Sequence, residues 1–148
     1  MLNVPPPVWS LAYVLAATAL SYWVGWPRVP GLPLVPLAVL LIVVGISLSA
    51  TAVVLFRREG TELNPASTTN RKLVTRGPFS FTRNPMYLAI VITTLGIAFW
   101  VGAWPMFLAP LAVFATANWM NVPFEEASMR RQFGAEFDAY VSRVRRWI

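Results

Sequence analysis

The sequence predicts an all-α polytopic membrane protein, with about four transmembrane helices and an amphipathic C-terminal helix, on three observations. Hydrophobic residues make up 57% of the 148 and charged residues only 12%, against about 25% charged in soluble domains. The apolar residues gather into four runs separated by Pro/Gly-rich or basic segments. A bilayer-spanning helix needs about 20 such residues, so a single domain, 1–148, accommodates four spans with their connections. The 12 Lys and Arg residues, against 6 Asp and Glu, flank these runs, which is the arrangement that orients membrane helices. The net charge of +6 therefore points to a membrane surface, not to nucleic acid.

The first span is read at 8–26, with Tyr13, Tyr22, Trp23 and Trp26 toward its ends as an aromatic belt. Met1 to Pro7 lacks the basic stretch of a signal peptide, so this run is expected to stay in the membrane. Pro27, Pro30, Gly31, Pro33 and Pro36 break it. The second span, 37–56, carries Gly45, Ser47, Ser49 and Ala50, small enough to let another helix approach closely. Residues 57–83 then hold Arg57, Arg58, Arg71, Lys72, Arg76 and Arg83 against Glu59 and Glu62, and belong on the cytoplasmic side. Within them, 60–70 reads as irregular from its Thr, Asn and Ser content and Pro65.

Asn84 followed by Pro85 is a helix-start signal: Asn suits the cap, and Pro suits a first helical position whose N–H has no partner. The third span is placed at 85–100, and Val101-Gly102-Ala103 turns sharply into a fourth at 104–119. Both termini then face the cytoplasm across the cell (inner) membrane. After Pro123, residues Phe133, Phe137, Tyr140, Val141, Val144 and Ile148 recur at helical spacing, with Arg130, Arg131, Arg143 and Arg145 elsewhere around the wheel. Residues 124–148 are therefore expected as a helical segment on the membrane face, interrupted at Gly134.

The chain has no Cys and no His, which removes thiol nucleophiles, imidazole acid–base chemistry and the usual zinc ligands; no metal is expected. Carboxylates, Arg, Tyr, Asn and the backbone remain. Glu125 and Glu126 follow directly on a span, where an acid is costly unless paired or wet. They read either as the solvated first turn of a helix or as one carboxylate binding a ligand cation, with at most one of the two facing the bundle. The start of the third span, with its unpaired N–H groups among Arg76, Arg83, Phe79, Phe81 and Tyr87, reads either as an interface anchor or as a seat for an anionic group. Phe79, Phe81, Tyr87 and Trp119 are belt or core residues, or rings that attract an onium cation. Arg143, Arg145 and Arg146 suit anionic headgroups of membrane lipids.

Three separated motifs occur in order: Leu73-Val-Thr-Arg-Gly-Pro-Phe-Ser-Phe-Thr-Arg-Asn-Pro-Met-Tyr-Leu88, then Glu125-Glu126, then Phe133-Gly-Ala-Glu-Phe-Asp-Ala-Tyr-Val-Ser-Arg-Val144. Together they resemble the isoprenylcysteine carboxyl methyltransferase family and its relatives, the phospholipid methyltransferases, over about residues 37–148. The resemblance implies a membrane enzyme using S-adenosyl-L-methionine, held between the basic loop, the start of the third span and the C-terminal helix. Arg83-Asn84-Pro85-Met86-Tyr87 is similar to the family's Arg-His-Pro-x-Tyr, with Asn in place of His. Arg71-Lys72-Leu73-Val74 looks like its His-x-Leu-Val, Phe79 is similar to the ring before the motif, and Ala89 stands where a Gly usually closes it.

On that resemblance, Arg83, Asn84 and Tyr87 are catalytic. Lys72, Leu73, Val74, Gly77, Phe79, Asn84, Pro85, Met86, Tyr87, Glu125 and Glu126 hold the cofactor, and Asn121 and Arg130 face the substrate. The cofactor's ammonium would meet Glu125, its carboxylate the helix start at Asn84–Met86 or the basic loop, and its sulfonium Tyr87. Asn121 stands where the carboxyl-methylating branch places an Arg, so the expected acceptor is neutral at its reacting end or borrows Arg83 or Arg130. The function implied is methyl transfer to a lipophilic small molecule or lipid entering from the bilayer. The alternatives are an isoprenylcysteine-type carboxyl O-methyltransferase, a non-catalytic membrane scaffold, or a small exporter; the last needs an acid within a span, and the first acid here is Glu59.

Overall fold

The computed structural model describes residues 4–60 and 72–148. Glu62, Arg71 and nearly all of the passage read as irregular lie outside the described residues. Among these, six α-helices and no strand occur: α1 Pro6–Trp23, α2 Val35–Arg58, α3 Pro85–Val101, α4 Leu108–Thr116, α5 Val122–Phe133 and α6 Ala135–Val141. A 3-10 turn, Gly77–Ser80, precedes α3, another, Trp104–Phe107, precedes α4, and a π turn, Ala117–Asn121, joins α4 to α5. The all-α class is as expected. Two helical runs, Val35–Arg58 of 24 residues and Trp104–Phe133 of 30, are long and apolar enough to cross a membrane, where four spans were expected. α3 is apolar but has 17 residues, about 26 Å at 1.5 Å each, short of a hydrocarbon core of about 30 Å.

Helix α2 lies along α3, α3 packs on α4, and α1 closes against α4. The α2–α3 contact is close because glycines face it from both sides. A Cβ on Gly45 would stand 2.2 Å from Thr93 Oγ1 and 2.7 Å from the Ala89 carbonyl, and one on Gly96 would stand 2.8 Å from Ile42 Cγ1. Of the small residues singled out in the second apolar run, only Gly45 is buried; Ser47 and Ala50 are exposed.

The Pro-rich connection after α1 and the α3–α4 turn are laced together. Val29 N–H donates to the Gly102 carbonyl at 2.9 Å and Trp104 N–H to that of Pro27 at 3.1 Å, and Arg28 bridges to Ala103. Gly102, at φ 73, ends α3 in the left-handed conformation that glycine adopts without a steric penalty. Among the described basic residues, Arg28 alone sits at this end. Arg57, Arg58, Lys72, Arg76, Arg83 and the basic residues of the C-terminal region lie beyond the other end of the bundle.

The C-terminal third departs from expectation. The helix beginning after Trp104 does not stop near Trp119 and restart at Phe124; it runs through the π turn, where Val122 N–H reaches back five residues to the Ala117 carbonyl. That wider turn accommodates Pro123, whose ring would clash inside a regular α-helix. Gly134, at φ 49, breaks the helix as expected, but α6 ends at Val141 and not at Ile148. Phe137 and Tyr140 are buried against the protein and do not form an outward membrane face. Residues after Val141 form a non-helical tail whose carbonyls are engaged elsewhere.

Candidate functional site

α3 starts at Pro85 with Asn84 in the cap position, yet the Asn84 side chain makes no capping bond. Its Nδ2 donates instead to the Arg146 carbonyl at 2.9 Å. Thr82 Oγ1 donates to the same carbonyl at 3.2 Å and accepts from Asn84 N–H at 3.2 Å, while Arg83 N–H donates to the Arg145 carbonyl at 3.0 Å. The tail is thus stitched across the segment that launches α3. Trp147 secures it further, donating from Nε1 to Asn118 Oδ1 at 3.0 Å and packing on Phe114 with ring centroids 4.9 Å apart.

Inside this clasp, Tyr87 is buried on α3 and its hydroxyl donates to Glu125 Oε1 at 2.5 Å. The Tyr87 hydroxyl oxygen in turn accepts from Asn121 Nδ2 at 3.2 Å. Trp9 of α1 stacks on the Tyr87 ring, centroids 6.4 Å apart and planes 24° apart. Glu126 points to a different partner set: Arg83 Nη1 at 3.2 Å and both Nε and Nη2 of Arg146 at 3.1 and 2.6 Å. As expected, only one of the two acids, Glu125, faces the bundle. Adjacent helical residues diverge by about 100°, and here α3 meets one acid while Arg83 and the tail wrap around to the other.

The remaining predicted residues divide. Arg83, Asn84, Pro85, Tyr87, Asn121, Glu125 and Glu126 come together as described. Lys72 pairs with Glu59 at 2.6 Å and Arg76 pairs with the same carboxylate, so this part of the basic loop is anchored to the end of α2. Val74 and Phe79 are buried with Ala52, and Leu55, Phe56 and Met86 pack on them; Leu73 is half-buried. Gly77, at φ 61, adopts a left-handed turn where a Cβ would come within 3.2 Å of Leu55. Tyr140 Oη donates to the Phe79 carbonyl at 2.7 Å. Burial pushes that phenol above its ordinary range, with Arg83 pulling the other way, so it stays a protonated donor.

Arg130, predicted to face the substrate, is exposed and pairs with Asp138 at 2.7 Å, lying over the Phe137 ring. It stands nine residues beyond Asn121, about 13 Å along the helix. Arg146, expected at lipid headgroups, is instead tied to Glu126. Trp9, Asn118, Arg146 and Trp147 were not legible as site residues, since no local motif marks them and their contacts cross the whole chain. Three buried atoms of the cluster have no hydrogen-bond partner among the described residues: Trp9 Nε1, Arg83 Nε and Asn121 Oδ1.

An uncharacterized protein of Haemophilus influenzae is 29% identical over 63 residues, covering 43% of this chain and 100% of that protein. No solved structure matches at a significant level. The family model of the phospholipid methyltransferases matches residues 34–136, from the start of α2 through both acids of the site. With well over half of its length matched, the chain belongs to the phospholipid methyltransferase family.

Proposed function

We propose that this chain is an integral membrane methyltransferase moving a methyl group from S-adenosyl-L-methionine to a lipophilic acceptor that enters from the bilayer. The observation that carries the reading is the link between Tyr87 at the start of α3, Asn121 and Glu125, set beside the paired Arg83 and Glu126. The cofactor presents an ammonium, a carboxylate and a sulfonium, and the groups here suit all three. Glu125 has one oxygen bonded to Tyr87 and further acceptor capacity for an ammonium. Arg83 and Arg146 around the single charge of Glu126 leave a net positive corner, with a buried Arg83 Nε lacking an acceptor and the unpaired N–H groups of α3 nearby. That corner suits a carboxylate. The faces of Tyr87 and Trp9 suit a sulfonium.

When bound, the cofactor would supply an electrophilic methyl group. The chain's own contribution is position, because methyl displacement needs its reactants held in line more than it needs a proton moved. Lys72, Leu73, Val74, Gly77, Phe79 and Met86 support this indirectly, by packing the loop before α3 against α2. Asn121 carries no charge, so a buried acceptor carboxylate would find no cation there and would keep a desolvation cost; the acceptor is neutral at its reacting end. Calorimetric titration of the detergent-solubilised protein with S-adenosylmethionine is expected to give saturable binding, and its absence would overturn the reading.

The same reading makes α1, α2, α3 and α4 four spans, the short α3 being accommodated by tilt or local thinning. The basic end faces the cytoplasm under the positive-inside rule, which puts both termini there in the cell membrane, with lipids as its surroundings. The chain lacks Cys, so single cysteines at Pro30 and Arg145 report cleanly. They are expected to label from opposite faces of sealed vesicles; labelling of both from one face would refute this topology.

A further inference from the structure

Two of the unpartnered polar atoms belong to side chains that contact Tyr87, and they are chemically complementary. The single Tyr87 hydroxyl proton is committed to Glu125, so the Tyr87 oxygen is the acceptor for Asn121 Nδ2. That fixes the Asn121 amide with its nitrogen toward Tyr87 and its oxygen turned away. Asn121 Oδ1 is left as a buried acceptor, and Trp9 Nε1, on the ring stacked against the same Tyr87, as a buried donor. Both residues are only 5% exposed. Buried donors and acceptors are normally satisfied, and leaving them bare costs free energy. Around them the walls are apolar: Val113, Ala117 and Val122 belong to the same buried cluster, with Tyr13 packed on it.

We propose that Trp9 Nε1 and Asn121 Oδ1 form a binding site for the hydroxyl head group of a lipophilic alcohol or phenol. An indole N–H only donates and this amide oxygen only accepts, so one small group filling both must accept and donate at neutral pH. A hydroxyl does both. A carboxylate brings no proton for Asn121, an ammonium brings no lone pair for Trp9, and a thiol does each weakly. The apolar walls take the adjoining carbon chain, and the outward sides of the helices that supply them, at Leu11, Leu15 and Leu111, are exposed and apolar, as suits a ligand arriving from lipid. Trp9 lies on α1, before the stretch matched by the family model. That the bound hydroxyl is the methyl acceptor rests on the reading above; that it binds does not.

The test uses the full-length, nitrogen-15-labelled protein in detergent micelles, with the Trp9 indole resonance assigned by its loss in Trp9→Phe. Titration with 1-decanol is expected to move that resonance downfield and to saturate, whereas decane, decanoate and decylammonium leave it in place. Asn121→Leu should abolish saturation and Asn121→Asp, which keeps an acceptor oxygen there, should retain it; the other indole resonances report that each variant is folded. If the leucine variant does not fold, the probe series and the aspartate variant decide the matter. An equal response to decane or decanoate, or none to decanol, overturns the proposal. Cofactor titration of the same sample separates the two readings: cofactor binding without a decanol response defeats only the hydroxyl site, and a decanol response without cofactor binding defeats only the methyltransferase reading.

Discussion

Glu125→Gln is expected to weaken S-adenosylmethionine binding by about tenfold to a hundredfold while the protein stays folded. A hydrogen bond to a charged group contributes about 1.5–3 kcal/mol, and in this variant the charge is what disappears. Gln still presents a carbonyl oxygen to the Tyr87 hydroxyl, now held at 2.5 Å from Glu125 Oε1, so the cluster keeps its geometry and the ammonium loses its counter-charge. Calorimetry on the purified variant beside the parent reads the difference. An unchanged dissociation constant would remove Glu125 from the site.

Glu126→Gln is expected to act on the fold instead. Glu126 holds two arginines, and its own side chain is 17% exposed while that of Arg83 is 13% exposed. Weakening that clasp should cost about 1.5–3 kcal/mol, read as a lower melting temperature in detergent. It should also release the tail, so that trypsin cuts more readily after Arg145 and Arg146, while cofactor affinity falls less than in Glu125→Gln. An unchanged melting temperature with a protected tail would show that the clasp contributes nothing, and a larger loss of cofactor affinity than in Glu125→Gln would exchange the roles of the two acids.

These contrasting expectations mark where sequence reading succeeds and stops. The start of α3 was legible because Asn84 and Pro85 act within one turn, and so were the stops at Gly102 and Gly134, where a backbone conformation depends on one residue. The use of Asn84 was not legible: its position promised a capping bond, but a carbonyl 62 residues away captured its amide. Trp9 shows the same limit, since an aromatic residue near the end of an apolar run looks like a membrane belt until its ring is found on Tyr87. Hydropathy likewise marked the segment 104–119 as apolar but could not say that the helix continues through Pro123, because that depends on backbone hydrogen bonds and not on side-chain polarity.

The π turn at Ala117–Asn121 has a further consequence. It takes up one residue more than a regular turn, so everything after it is set back in angular phase by about 100°. Were the helix regular through this point, Phe124 would occupy the direction now held by Glu125, and Glu125 would swing toward Arg83 and Arg146. The distinct partners of two adjacent, chemically identical acids are therefore assigned by a defect in the backbone and by nothing in the acids themselves. In a relative with an unbulged helix, the residue equivalent in space to Glu125 would sit one position earlier in its sequence count, and a comparison by position alone would pair the wrong acids.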